Sequence, residues 1–264
     1  MSGATTVTSP APPAPATRPG PIAAIGAVYA AQLARARVAR GPLLFVATLQ
    51  SLGILLLLRG VTRDPQPATA SAIVAGSTVL VVAFVALNLL AQRFGLLRAS
   101  HALDYYAALP VSGATIVLGT AASYATFTVP GAVVTAVVGT ALFGLSFAQI
   151  WVVLPVVAAA GVALAGAGAA LGLLFRRADL ATAAGQLAMT AVLFLGVIPP
   201  GHIPAGLRAL RAVVPAMPAV DALAAALRDD ATWWGVGWRL AVTLAWGVVG
   251  LGAAARAFRR AVAD

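Results

Sequence analysis

The sequence predicts an all-α integral membrane protein with six transmembrane helices, and three observations carry that expectation. Of its 264 residues, 61% are hydrophobic and 9% charged, whereas a soluble domain carries roughly a quarter charged residues. Runs such as Gly41 to Leu58 and Ala72 to Leu90 contain no charge. At about 1.5 Å rise per residue, each can cross a hydrocarbon core of roughly 30 Å. The charges that exist flank these runs, which is how a bilayer orients a protein.

The elements follow in chain order. Residues 1–21, "MSGATTVTSPAPPAPATRPGP", form a Pro/Ala/Thr tail without the apolar core of a signal peptide. They are read as a disordered, uncleaved cytoplasmic leader, and residues 22–264 as a single transmembrane domain. In "IAAIGAVYAAQLARARVARGP", Ile22, Ile25, Val28 or Tyr29, Leu33 and Ala36 recur at helical spacing, while Arg35, Arg37 and Arg40 crowd the end. This predicts an amphipathic helix in the inner interface with its arginines near lipid phosphates. Gly41-Pro42 marks the break before the first span. The alternative is a simple continuation of that span.

The six spans are placed near Gly41–Leu58, Ala70–Leu90, Ala114–Val138, Trp151–Leu174, Ala181–Ile198 and Val236–Ala255. An even count puts both termini on one side. Eleven arginines fall on that side and six on the other, so both termini are expected in the cytoplasm, in a multi-pass protein of the cytoplasmic (inner) membrane. Trp151, Trp233, Trp234 and Trp238 then lie at the outer ends of spans four and six. Pro130 and Pro155 are expected to kink spans three and four.

Two connections are more than turns. Between spans two and three, "QRFGLLRASHALDYYAALPVSG" predicts a short cytoplasmic helix from about Leu96 to Leu109. Leu96, Leu103, Tyr106 and Leu109 would share its apolar face, away from Arg98, His101 and Asp104. Pro110 can end it and Ser112 can cap the next helix. Two adjacent tyrosines in a polar loop fit a protein surface; the alternative is a solvated connector. Between spans five and six, "PPGHIPAGLRALRAVVPAMPAVDALAAALRDDATWWG" is too long for a turn and too Pro-broken for a span. Short re-entrant helices at the outer leaflet are expected there. His202 reads as a surface residue and Asp229-Asp230 as a solvated helix end. In span four, Gly168 and Gly172 form a small-residue spacing that lets helices approach closely, inside the bundle or at a dimer seam.

The absences narrow the function. The chain has no Lys, Glu or Cys, which excludes disulfides, thiolate catalysis and Cys-based metal sites. It has no phosphate-binding Gly-rich loop with Lys. No Asp, Glu, Lys, Arg or His falls mid-span, Arg239 lying at the outer end of the sixth, so the coupling groups of ion-driven transporters are missing. The net charge of +10 would indicate nucleic acid only if gathered on one face; here it flanks spans, and no nucleic-acid partner is expected. What remains is a membrane subunit whose energy comes from a partner.

The order of parts resembles the permease subunit of type-2 ABC exporters. The local matches are "LDYYAALPVSGATIVLGT" (Leu103 to Thr120), similar to the family's segment entering span three, and "VVPAMPAVDALAAALR" (Val213 to Arg228), similar to its Pro-x-x-Pro stretch before span six. Where the family often has an acidic Glu-Arg-Glu-type run, this chain reads "NLLAQRFGLLRAS". The resemblance implies two permease subunits, identical or related, bound to two cytoplasmic ATPase subunits. ATP and Mg sit on the ATPase, with no cofactor on this chain. It also implies that the Leu96–Leu109 helix is the coupling helix. Tyr105, Tyr106 and Leu109 would seat in an ATPase groove, with Arg98, His101 and Asp104 at its polar rim. The cargo expected for uncharged spans is amphipathic or lipidic. Two other readings are a non-transporting scaffold subunit and a lipid-modifying enzyme using Asp229 and Asp230.

Overall fold

The computed structural model describes residues 20–35, 40–62, 65–107, 111–198, 205–228 and 232–263. Among these no strand occurs. The helices are α1 (Pro21–Arg35), α2 (Arg40–Val61), α3 (Pro67–Ala99), α4 (Ala102–Ala107), α5 (Gly113–Leu142), α6 (Val153–Leu174), α7 (Ala178–Val197), α8 (Ala205–Val213), α9 (Met217–Ala226) and α10 (Trp233–Ala263). Six of them, α2, α3, α5, α6, α7 and α10, are long and apolar enough to cross a membrane.

These six alternate in direction, which gives the bundle two distinct ends. At one, Arg98 near the end of α3 meets the last carbonyls of α6, and Gly113 at the start of α5 lies against the Phe258 ring of α10. At the other, Trp151 and Trp233 stack with ring centroids 5.6 Å apart. There too, the Arg59 guanidinium lies 5.8 Å from the centroid of the Phe143 ring. The first is the Arg-rich end and the second the Trp-rich end.

Helix α6 is the hub, touching α3, α5, α7 and α10. Its sequence explains why. Ala160, Ala163, Ala165 and Ala169 are buried, and three glycines let neighbouring backbones come close. A Cβ on Gly166 would sit 2.7 Å from the Leu251 amide of α10, and one on Gly168 would sit 2.9 Å from the Ala86 carbonyl of α3. One on Gly172 would sit 2.8 Å from Phe94 Cβ. Between apolar helices in lipid, association rests on such van der Waals contact, because no water is displaced. Helix α3 lies against α6 and is buried on nearly every side, with Val74, Leu80, Val81, Leu90 and Phe94 in the core. Its residues Ala83–Leu89 form a π-helical segment, a wider turn that often marks a functional position.

Several boundaries differ from the sequence reading. Helix α3 continues to Ala99 and α5 begins at Gly113, so Arg93 and Arg98 belong to a span-length helix and not to a loop. Gly41 and Pro42 lie in the first turn of α2, where Pro has no intrahelical donor to lose. Pro155 likewise occupies the first turn of α6 and interrupts nothing; Pro130 lies inside α5.

Helix α1 packs across α5. Tyr29 Oη donates to Thr126 Oγ1 at 3.3 Å and Gln32 Nε2 to Thr120 Oγ1 at 3.4 Å, while Val28 and the Ile25 carbonyl press on Gly119. The opposite face of α1, with Ile22, Gly26, Ala27, Ala30 and Ala31, is exposed and wholly apolar. Ile22 therefore does not share the packed face with Ile25 and Val28. At the Trp-rich end, the α8–α9 hairpin dips between the spans. Val214 and Pro215 at its tip line a cavity of about 330 Å³ together with Leu87, Leu164 and Ala188, residues at mid-length of α3, α6 and α7.

Candidate functional site at the Arg-rich end

The segment from Arg98 to Gly113 is built by two stops. Helix α3 ends where the Ser100 amide donates to the Leu96 carbonyl at 3.0 Å and Ser100 Oγ donates to the same oxygen at 2.8 Å. His101 then takes φ 54°, a left-handed conformation that a side chain tolerates poorly. The single helix expected over Leu96–Leu109 is therefore broken: Leu96 and Arg98 finish α3, and α4 is a separate helix of six residues. Ser112 caps α5, its Oγ accepting from the Thr115 amide at 3.2 Å.

Leu103 anchors α4 in the core at 2% exposure, and the half-buried Tyr106 packs beside it. His101, Asp104 and Tyr105 face outward, and the Tyr105 ring meets the Tyr106 ring edge-on at 5.8 Å. Leu96, expected on the apolar face, is 54% exposed, while Leu97 is buried. Leu109 and Pro110 lie outside the described residues, as does Arg37. Arg35 closes α1 and Arg40 opens α2. Helix α4 touches α3, α5 and α10, so a force on it reaches three spans.

Arg98 points toward α6. Its Nη1 donates to the Leu173 and Leu174 carbonyls, the latter at 3.1 Å. These are C-terminal carbonyls without intrahelical donors, where a cation is favoured. Arg98 thus ties α3 to α6, and it also walls two open cavities. One, of about 630 Å³, lies between α3, α6 and α10; the other, of about 420 Å³, is bounded by His101, Asp104 and Arg176. Arg177 and Asp179 pair at 2.6 Å on the surface nearby.

Deeper in the bundle, the π-helical segment places Asn88, 2% exposed, opposite α7. Asn88 Nδ2 donates to Gln186 Oε1 at 3.2 Å, and Gln92 Nε2 donates to Asn88 Oδ1 at 3.1 Å. Gln186 is exposed on the outward face of α7.

One pair escaped the sequence reading. Arg211 of α8, one of the six arginines assigned to the outer side, is buried; it donates to Asp221 of α9, to the Leu195 carbonyl of α7 and to Met217 Sδ at 3.1 Å. The signal was Asp221 itself, a lone carboxylate in an apolar helix, which requires a cation nearby. His202, Asp229 and Asp230 lie outside the described residues. Among the described residues no group of three metal-ligating side chains occurs.

No curated protein matches the chain. The family described as ABC-2 family transporter protein matches it over residues 45–256, from early in α2 to late in α10. The chain therefore belongs to that family, as a membrane-spanning permease subunit of an ABC transporter that carries no ATP-binding motif of its own.

Proposed function

We propose that this permease works in an ATP-driven exporter and takes its power stroke through α4. The observation that carries the reading is the construction of α4. Leu103 and Tyr106 fix it to the core, Asp104 and Tyr105 project from it, and its contacts reach α3, α5 and α10. A short helix held this way transmits a push instead of absorbing it. Tyr105 and Asp104 meet the ATPase, with His101 beside them. ATP and Mg stay on that partner, where closure of the ATPase pair rocks the spans.

In this reading the Arg-rich end faces the cytoplasm, with residues 1–21 and both termini on that side of the inner membrane. Helix α1 lies in the inner leaflet, its bare Ala/Ile face in lipid. A second permease subunit covers the outward face of α7, where Gln186 would otherwise face lipid. The cargo is amphipathic or lipidic, since the spans offer amides and hydroxyls but no counter-charge at mid-depth. The test is ATP turnover by a candidate ABC ATPase subunit reconstituted with this chain. Stimulation by wild type and its loss in Tyr105→Ala/Asp104→Ala, with the permease still folded, is the expected result. An ATPase that neither binds nor responds to wild type rejects the reading in favour of a scaffold role.

A further inference from the structure

Arg256 and Arg260 sit one turn apart on α10, and both line the 630 Å³ cavity, with Arg98 facing them from α3. The rest of the wall is apolar, including Leu171 and Leu174 of α6 and Ala253 and Ala257 of α10. The neighbouring 420 Å³ cavity shares Arg98 and adds Arg176, with Asp104 as the acidic residue of its wall. Arginines that merely fix topology need no shared cavity. Like charges at i, i+4 also repel on a helix, a repulsion that an anion between them removes. Arg256, Arg259 and Arg260 are all exposed, but Arg259, on the same turn of α10, lines neither cavity.

We propose that this cavity is a binding site for an anionic phospholipid, its phosphate held between Arg256 and Arg260 with Arg98 behind, and its acyl chain along Leu171, Leu174 and Ala253. Charge complementarity selects the headgroup, and the apolar wall selects a lipid over a free phosphate or an acidic protein surface. The site requires only a bilayer and stands apart from the ATPase reading.

The test titrates the delipidated full-length chain in detergent with phosphatidylglycerol, counting bound lipid by native mass spectrometry. Each arginine beside an anionic headgroup contributes about fivefold to binding, so Arg256→Gln/Arg260→Gln is expected to weaken phosphatidylglycerol about 25-fold. Arg259→Gln stays within about twofold of wild type by the same reasoning. Arg256→Lys/Arg260→Lys retains most of the binding, and Ala253→Phe loses it with every charge in place. The proposal is overturned if Arg259→Gln weakens binding as much as the pair, or if phosphatidylcholine binds equally. It is overturned too if inorganic phosphate displaces the lipid at equal concentration. Finally, it fails if the paired variant keeps the lipid but loses an ATPase partner.

Discussion

The Arg211–Asp221 pair makes an asymmetric prediction, because its two members are unequally buried. The Arg211 side chain is 10% exposed and that of Asp221 is 38% exposed. Removing one partner of a buried pair costs about 3–5 kcal/mol, most of it from the charge left behind. In Asp221→Ala the stranded guanidinium keeps, among the described residues, the Leu195 carbonyl and Met217 Sδ, so a loss of about 3 kcal/mol is expected. In Arg211→Met the stranded carboxylate is partly open to water, and screening reduces the loss to about 1–2 kcal/mol. Arg211→Met/Asp221→Leu strands no charge and should recover to within about 1 kcal/mol of wild type. At about 2–4 °C per kcal/mol for a chain of this size, thermal unfolding in detergent separates the two single variants. Equal losses, or a double variant worse than either single, would refute the argument that burial sets the cost.

Three further outcomes follow from the packing. Gly168→Leu drives a side chain into the Ala86 and Leu87 carbonyls of α3 and should abolish folded yield on size exclusion, whereas Gly53→Leu, with open space around it, should not. His101→Gly relieves a positive φ and should raise thermal stability by up to about 1 kcal/mol, while His101→Val lowers it. Asn88→Leu breaks the bond to Gln186. Interhelical bonds in membranes average about 0.6 kcal/mol, so a small thermal shift with a larger effect on transport is expected.

What was legible in the sequence followed from periodicity and composition. The charge-free runs placed all six spans, and Trp151 and Trp233 fell at the end opposite Arg98, as their flanking positions implied. Gly168 and Gly172 were legible as a small-residue spacing, whereas the close approach at Gly166 was not read from the sequence. The break at His101 was not legible: nothing in Leu96-Leu97-Arg98-Ala99 stops a helix, and α3 runs on because Arg98 finds the open carbonyls of α6. The Arg211–Asp221 pair was also hidden, because ten residues and a helical hairpin separate its members. The packed face of α1 was partly misread, since Ala, Gly and Ile cover both of its sides and periodicity cannot say which one meets α5.

The central claim is that α4 carries the contact with the ATPase. The chain has no cysteine, so Tyr105→Cys introduces a single reactive thiol on the outward face of α4, and Val248→Cys places one on an exposed mid-span position of α10. Treating membranes that contain both subunits with a short bifunctional crosslinker tests the claim directly. The account expects an ATPase adduct at position 105 that changes in yield with ATP, and none at position 248. An ATPase that crosslinks elsewhere on this chain but never at Tyr105 would contradict it.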